Sequence, residues 1–222
     1  MLRTRTYLLV GGMLLVLLGA AAYYLGFRAP WEASGTLALA YYTVPQPGMD
    51  TDLVLRVGVG AVTLHNELGD SIPVTLRTRE IRLDNMHDPI ILFEGTVPTG
   101  VYTAISFDLK SPSLENPWES SEAPPRISLA HEEVRIPCTV LIEEGATSVA
   151  LVGFERGTSL HTTGDHTYSL IPNIQIETRN NTQTVLAEDG MHVSFEGGAV
   201  HTSAMYGMDM DGTMQQNHRA SR

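Results

Sequence analysis

The sequence contains almost no cysteine, since Cys138 is the only thiol among 222 residues. One cysteine excludes an internal disulfide, and it also excludes a zinc site built from several thiolates. The fold must therefore be held together by a hydrophobic core, which a chain of this length can bury. Cys138 itself lies in the apolar run IPCTVLIEE, a setting typical of a buried small side chain and not of a nucleophile.

Basic residues are also scarce: 14 lysines and arginines stand against 25 aspartates and glutamates, which gives a net charge of -11. Proteins that bind nucleic acid neutralise its phosphates with clustered lysine and arginine. Here only short groupings occur, such as Arg77, Arg79 and Arg82. The charge balance therefore argues against a nucleic-acid partner.

The signatures of common enzymes are missing as well. The sequence has no G-x-S-x-G elbow, no H-E-x-x-H pair and no glycine-rich phosphate loop followed by lysine. The carboxylate pairs Glu132-Glu133 and Glu143-Glu144 are adjacent in strand or turn patterns, so their side chains point to opposite faces or to solvent. We therefore predict that the protein is not an enzyme and has no catalytic or cofactor-binding residues.

The N-terminal segment contains an uncharged run from Tyr7 to Phe27, preceded by Arg3 and Arg5. At about 1.5 Å per residue, such a run can cross a hydrocarbon core of roughly 30 Å as one transmembrane helix. The leading arginines predict a cytoplasmic N-terminus. We expect a membrane anchor over residues 1–28, a linker over 29–34 and an extracytoplasmic domain after it.

A cleaved signal peptide is the alternative interpretation of the same segment. Leu8 to Leu18 has the length of an h-region, and the alanines ending at Ala22 provide a cleavage site that would release a secreted domain. The apolar run continues through Tyr23, Tyr24 and Leu25, which favours retention as an anchor. The domain is exported under both interpretations.

Apolar residues recur at every second position along much of the remaining chain, as in Leu37–Tyr41 and Leu53–Val59. This period indicates half-buried strands, and glycine, proline and aspartate turns separate them without an amphipathic helix. We predict an all-β, antiparallel β-sandwich over residues 35–186. Gly60 interrupts the second of these strands, which predicts a bulge there. The segment IPVTLRTREIRLD is also predicted to be a strand.

The C-terminal segment, residues 187–222, has a different character. Its weak strand patterns MHVSFEG and AVHTSA precede MYGMDMDGTMQQNHRASR, which has no periodic apolar face. We predict a hairpin followed by a flexible tail. Thioether and imidazole groups suit copper, so an extracytoplasmic copper-binding protein is the alternative function. The tail ligands of that hypothesis are Met205, Met208, Met210, Met214, His192, His201 and His218.

The stretch SLHTTGDHTYSLIPNIQIE offers another metal candidate, because His161, Asp165 and His166 surround the Thr163-Gly164-Asp165 turn. The two histidines would meet only if they paired across a hairpin, and a third protein ligand is not apparent. We therefore expect exposed rim histidines and no metal. Pro172 in the following strand predicts an edge strand or a bulge, because proline lacks the N–H of a ladder bond.

One predicted connection, residues 110–126, is too long for a hairpin and contains Trp118. Its proline, serine and glutamate content indicates an extended, solvated loop. An exposed Trp118 would be an anchor for a partner or a platform for a sugar, whereas a tucked Trp118 would only pin its own loop. The Trp118 loop and the Pro172 edge are the candidate contact regions for an envelope protein or glycan.

Three segments together resemble a domain family of unknown function, DUF4382, found in exported bacterial and archaeal proteins. They are GTLALAYYTVP, TREIRLDNMHDPIILFEGTVPTGVYTAISFDLKSP and SLHTTGDHTYSLIPNIQIE, which span roughly residues 35–178. Ile171 stands where the family usually has lysine. The resemblance implies an envelope-located, Ig-like or prealbumin-like β-sandwich with no established activity and no functional residues to transfer. We expect a non-catalytic, membrane-anchored binding or structural module.

Overall fold

The structure is a computed structural model that describes residues 33–45, 54–84, 88–115, 125–209 and 211–217. The predicted anchor over 1–28 and most of the predicted linker lie outside these residues. Within the described ranges, no helix is long and apolar enough to span a membrane. The described part of the chain is nearly all-β, as predicted.

The described residues form fourteen strands and one short helix, α1 (Arg156–Ser159). The strands are β1 (Ser34–Thr43), β2 (Val54–Asn66), β3 (Ser71–Val74), β4 (Glu80–Leu83), β5 (Ile90–Pro98), β6 (Gly100–Glu115), β7 (Arg126–Leu129), β8 (Glu133–Ile142), β9 (Thr147–Phe154), β10 (Leu160–Gly164), β11 (Thr167–Leu170), β12 (Asn173–Leu186), β13 (Val193–Met208) and β14 (Met214–Gln216).

These strands form two large sheets and one small sheet. The six-stranded sheet has the order β14-β13-β12-β9-β1-β5, and the five-stranded sheet has the order β3-β2-β6-β8 with β4 also paired to β2. The small sheet has the order β10-β11-β7. The predicted antiparallel pairing is incomplete, because β1 pairs with β9, and β7 with β11, in parallel.

The inner faces of the two large sheets pack against each other in a sandwich-like arrangement, as predicted. Strand β8 shows the alternation behind this packing: Val134, Ile136, Cys138 and Val140 are buried while the residues between them are exposed. One core cluster joins these side chains to those of the six-stranded sheet. Cys138 is a buried core residue, and burial raises the pKa of its thiol to about 12.

Several predicted strand details differ in the structure. The bulge near Gly60 is confirmed, because the register between β2 and β6 shifts between Val59 and Ala61. The predicted strand IPVTLRTREIRLD is two short strands, β3 and β4, which both pair with β2. The long connection starts later than expected, because β6 continues to Glu115 in its pairing with β2.

Pro172 does not lie on an edge strand, so that prediction is wrong. The predicted strand around it is divided between β11 in the small sheet and β12, an interior strand of the six-stranded sheet. Pro172 lies at the switch between them, where Ser159 of α1 bonds the backbone on both sides. Proline is tolerated there because the chain leaves one ladder before it enters the next.

The C-terminal segment belongs largely to the six-stranded sheet. Strand β13 pairs with β12 along its length, and β14 adds to the far side of β13. The boundary expected at residue 186 therefore falls inside a long β-hairpin. The apolar residues of this segment have no clear periodicity. They form strands here because they pair with the preceding strand, β12.

The free edge of β8 is closed by side chains from the six-stranded sheet. Thr178 donates a hydrogen bond of 2.5 Å to the carbonyl oxygen of Thr139, and the Thr139 N–H donates to Thr202 Oγ1 at 2.8 Å. Ser148 donates to the carbonyl oxygen of Leu141 at 2.5 Å. Pro137 has no N–H to offer. These bonds join the two sheets along one side of the sandwich.

Candidate functional site: an apolar groove beneath a hairpin arm

The distal part of the β12–β13 hairpin, residues 182–197, bends away from the six-stranded sheet; we call it the hairpin arm. Three residues at the bend have positive φ: Asn181 (53°), Gly197 (72°) and Gly198 (84°). Because Asn180 pairs with Ala199 and Thr182 with Gly197, both strands of the hairpin turn at the same level. Glycine tolerates this conformation without steric cost.

The tip of the hairpin arm is fixed to strand β5 at the opposite edge of the sheet. The N–H of Ile91 donates to the carbonyl oxygen of Met191, and the N–H of Val193 donates to that of Pro89, both at 2.9 Å. His192 and Ile90 form an isolated antiparallel bridge between these bonds. The hairpin arm therefore crosses the outer face of β9 and β1.

A second hydrophobic cluster lies under the hairpin arm. It unites Ala38 and Ala40 of β1 with Val149 of β9 and Val193 of β13, and Phe195 packs against it. The prediction that Leu37–Tyr41 is a half-buried strand is wrong for this reason. One face of β1 packs in the main core, and its other face is covered by the hairpin arm.

Between the hairpin arm and the sheet lies an open groove with a volume of about 460 Å³. This volume lies in the usual range for small-molecule sites. Most of the groove wall is apolar, and polar side chains are concentrated at its two ends. The apolar part of the wall is formed by Pro89, Val149, Leu151, Val185, Leu186, Ala187, Val193 and Phe195.

One end of the groove carries Glu177 and Arg179, which project from β12 onto the outer face. Arg179 Nε donates to Glu177 Oε1 at 2.5 Å, and Arg179 Nη1 donates to the carbonyl oxygen of Gly197 at 3.3 Å. The guanidinium is therefore held by a carboxylate and by the bend of the hairpin arm. Its charge is largely compensated within the protein.

The other end of the groove carries Asp88 and His192. His192 is oriented by Asp189, whose Oδ2 accepts a hydrogen bond from His192 Nδ1 and whose Oδ1 accepts from the backbone N–H groups of Met191 and His192. These bonds, led by the one from Met191, lower the pKa of Asp189 to about 2. Because an ionised carboxylate can only accept, Nδ1 of His192 carries a proton and donates it to Asp189.

His192 Nε2 is buried and has no hydrogen-bond partner among the described residues. A buried polar atom without a partner carries a desolvation cost of about 1–3 kcal/mol. Asp88 and His192 also line a second cavity of about 290 Å³. In that cavity Arg56 is paired with Glu80 and Arg82 with Asp84.

The pKa of Asp189 predicts how the tip responds to acid. Its value of about 2 lies below the ordinary 3.8, so its stabilising effect is present above about pH 4 and is lost as the pH falls towards 2. We expect the protection factors of the Met191 and His192 amides, corrected for the intrinsic exchange rate at each pH, to fall in that window in the wild type. In Asp189→Asn these amides should be less protected already at neutral pH, and their protection should respond little to acid. Glu188→Gln is the control, and the prediction fails if it behaves like Asp189→Asn.

The histidines of the predicted metal motif do not meet. His161 pairs with Ser169 across the β10–β11 hairpin, while His166 lies in the turn and accepts a backbone bond from Arg126. His166 has a positive φ (52°) in this turn. Within the described part of the chain, no group of three histidine, cysteine, aspartate or glutamate side chains is placed to hold a metal ion.

Several of the predicted copper ligands of the tail have structural roles. Met208 and Met214 are cross-strand partners in β13 and β14 and are buried in the main core, and His192 is engaged by Asp189. Met210 and His218 lie outside the described residues, as does Trp118 in the long connection. The positions of the described methionines therefore give no support to the copper-binding alternative.

A polar chain on the outer face of the five-stranded sheet was not predicted. His65 Nε2 lies 2.9 Å from Ser106 Oγ, and His65 Nδ1 lies 3.0 Å from Ser71 Oγ. Burial lowers the pKa of His65. A serine nucleophile needs a histidine that a carboxylate orients, whereas here a second hydroxyl occupies that position. The arrangement is a structural hydrogen-bond chain.

Comparison with known protein families, curated proteins and solved structures finds no match to this chain. The resemblance to DUF4382 therefore stays a prediction. The groove was missed because its walls come from β5, β9, β12 and β13. The only local signals for it are the Gly197-Gly198 pair and the apolar residues on either side of the turn, such as Val185 and Phe195.

Proposed function

We propose that the protein is a non-catalytic binding module of the cell envelope, anchored by its N-terminal helix and holding an Ig-like or prealbumin-like sandwich outside the membrane. The groove beneath the hairpin arm is its binding site. The arm is held over the sheet by backbone bonds at its tip and by glycines at its bend. It encloses apolar surface on a face that a simple sandwich leaves to solvent.

The proposed binding role rests on the groove itself. Its wall is mainly aliphatic, and its few polar groups lie at the two ends, which is the usual composition of a small-molecule site. Exposed apolar residues continue around the hairpin arm, with Val185, Met191 and Val200 each about half exposed. A binding role accounts for apolar surface that contributes little to the main core.

The location of the domain can be tested with a single exposed thiol. Leu68 is 87% exposed in a turn, so we expect Leu68→Cys in the full-length chain to react with a membrane-impermeant maleimide on intact cells. The wild type is the matched control, because its one thiol, Cys138, is buried and its pKa is raised to about 12. A variant that is labelled only after cell lysis would show that the domain lies inside the membrane barrier.

A further inference from the structure

The polar side chain that a ligand can reach at the Asp88 end of the groove is a hydrogen-bond acceptor. Asp88 is exposed and offers its carboxylate to the groove, whereas the His192 ring is held by Asp189. A ligand that completes this end of the groove must therefore bring donors.

The charges near this end of the groove point to a cationic donor. The carboxylates of Asp88 and of Glu188 in the tip have no cationic partner among the described residues, and Asp189 holds His192. The one guanidinium in the groove wall, that of Arg179, is already paired with Glu177 at the far end. The Asp88 end therefore carries an excess of negative charge within a protein of net charge -11, and a positive head group complements it.

The shape of the groove limits the rest of the ligand. Aliphatic side chains from the sheet, including Val149 and Leu151, face those of the hairpin arm, including Val185 and Leu186. Among the described residues that line this space, Phe195 carries the only phenyl ring and the His192 imidazole lies at one end, so the wall favours a flexible aliphatic chain over a stacked planar ring. Arg179 contacts the bend of the hairpin arm, and Asp88 lies beside its tip. A ligand that extends from one polar end to the other therefore lies along the hairpin arm.

We infer that the groove binds a single-chain amphiphile, with its aliphatic chain beneath the hairpin arm and a primary ammonium head group at Asp88. The head group donates to the Asp88 carboxylate. The chain displaces water from apolar surface, which supplies most of the affinity. This inference rests on the proposed function, since it takes the groove to be a binding site.

The test uses the full chain in lipid nanodiscs, with methyl groups of valine and leucine labelled for NMR and empty nanodiscs as the control for partitioning. Octylamine, octanol and octanoate are the probes, because they share one chain and differ in the head group. We expect all groove methyl signals, including those of Val149 and Leu151, to shift with octylamine. Its dissociation constant should be about ten-fold lower than that of octanoate, which corresponds to one favourable charge contact.

Variants distinguish the contribution of the head group to binding from that of the aliphatic chain. Asp88→Asn should weaken octylamine binding about ten-fold and leave octanol binding unchanged. Leu151→Trp fills the groove and should remove binding of all three probes. Val200→Trp is its matched control, because Val200 is exposed on β13 and does not line the groove. The dispersion of core methyl signals shows whether each variant is folded.

The outcomes distinguish this inference from the proposed function. Equal affinities for octylamine and octanoate would overturn the head-group assignment and leave an apolar binding site in place. No shift of groove methyls with any probe would overturn the inference and remove the support for a binding role as well. If a lysine-containing apolar peptide shifts these methyls and octylamine does not, the ligand is a peptide and the inference is wrong.

Discussion

Replacement of Phe107 by alanine is expected to lower the free energy of unfolding by about 3–5 kcal/mol, the usual cost of deleting a buried aromatic ring. Phe107 is 1% exposed and is the largest side chain among the fully buried residues of the described core. It lies on β6, which pairs with β2 on one side and β8 on the other. The neighbouring strands hold the backbone in place, so the cavity cannot close by local collapse.

Denaturant unfolding of the folded domain, followed by intrinsic fluorescence or circular dichroism, measures this loss. Leu68→Ala is the control, because Leu68 is 87% exposed and its replacement should change stability by less than about 0.5 kcal/mol. A Phe107→Ala protein that unfolds at the same denaturant concentration as the Leu68→Ala protein would contradict the position of Phe107 between the two sheets.

Replacement of Gly198 by alanine should release the hairpin arm. A Cβ at this position would lie 2.3 Å from Thr182 Oγ1 and 2.6 Å from the carbonyl oxygen of Asn180, and φ is 84°. Alanine in this backbone region costs about 1–3 kcal/mol. The overlap with Thr182 and Asn180 adds about 1–3 kcal/mol more. The bend cannot accommodate both the unfavourable φ and the steric overlap. We therefore expect it to open and to move the hairpin arm away from β5.

Amide exchange gives a direct measurement of this opening, because the N–H groups of Ile91 and Val193 bond the tip to β5. We expect their exchange to accelerate ten-fold or more in Gly198→Ala, with less change in core strands such as β6. Gly197→Ala is a close control: φ is 72°, but no atom lies within 4 Å of an added Cβ. If the two variants accelerate exchange equally, backbone conformation alone controls the bend and the close contact at Gly198 does not.

The sequence predicts the sandwich well because its inner residues follow a period of two. In β8, the alternation of Val134, Ile136 and Cys138 with polar residues is local information, and the buried face follows from it directly. The bulge at Gly60 is also local, since glycine inside a strand pattern marks a change of phase. Both were predictable from a few neighbouring residues.

The groove has a different origin, and its prediction required long-range information. MHVSFEG and AVHTSA were interpreted as separate weak strands, with the Gly197-Gly198 pair as the break between them. In the structure they form one strand, and the glycines set the angle at which the hairpin arm returns to β5. Whether Val193 then reaches Val149 depends on that angle and on the positive φ of Asn181, which no local pattern specifies.

The closed edge of β8 has a consequence for a protein expected to work outside the cell. An unprotected strand of this length would offer a template to which a second chain could add, and repeated addition leads to fibrils. Here the outward backbone groups at Thr139 and Leu141 are already bonded by Thr178, Thr202 and Ser148, and Pro137 has no donor. This edge of the domain is thereby protected from self-association, which is an advantage in the extracytoplasmic location that we propose, where ATP-driven chaperones are absent.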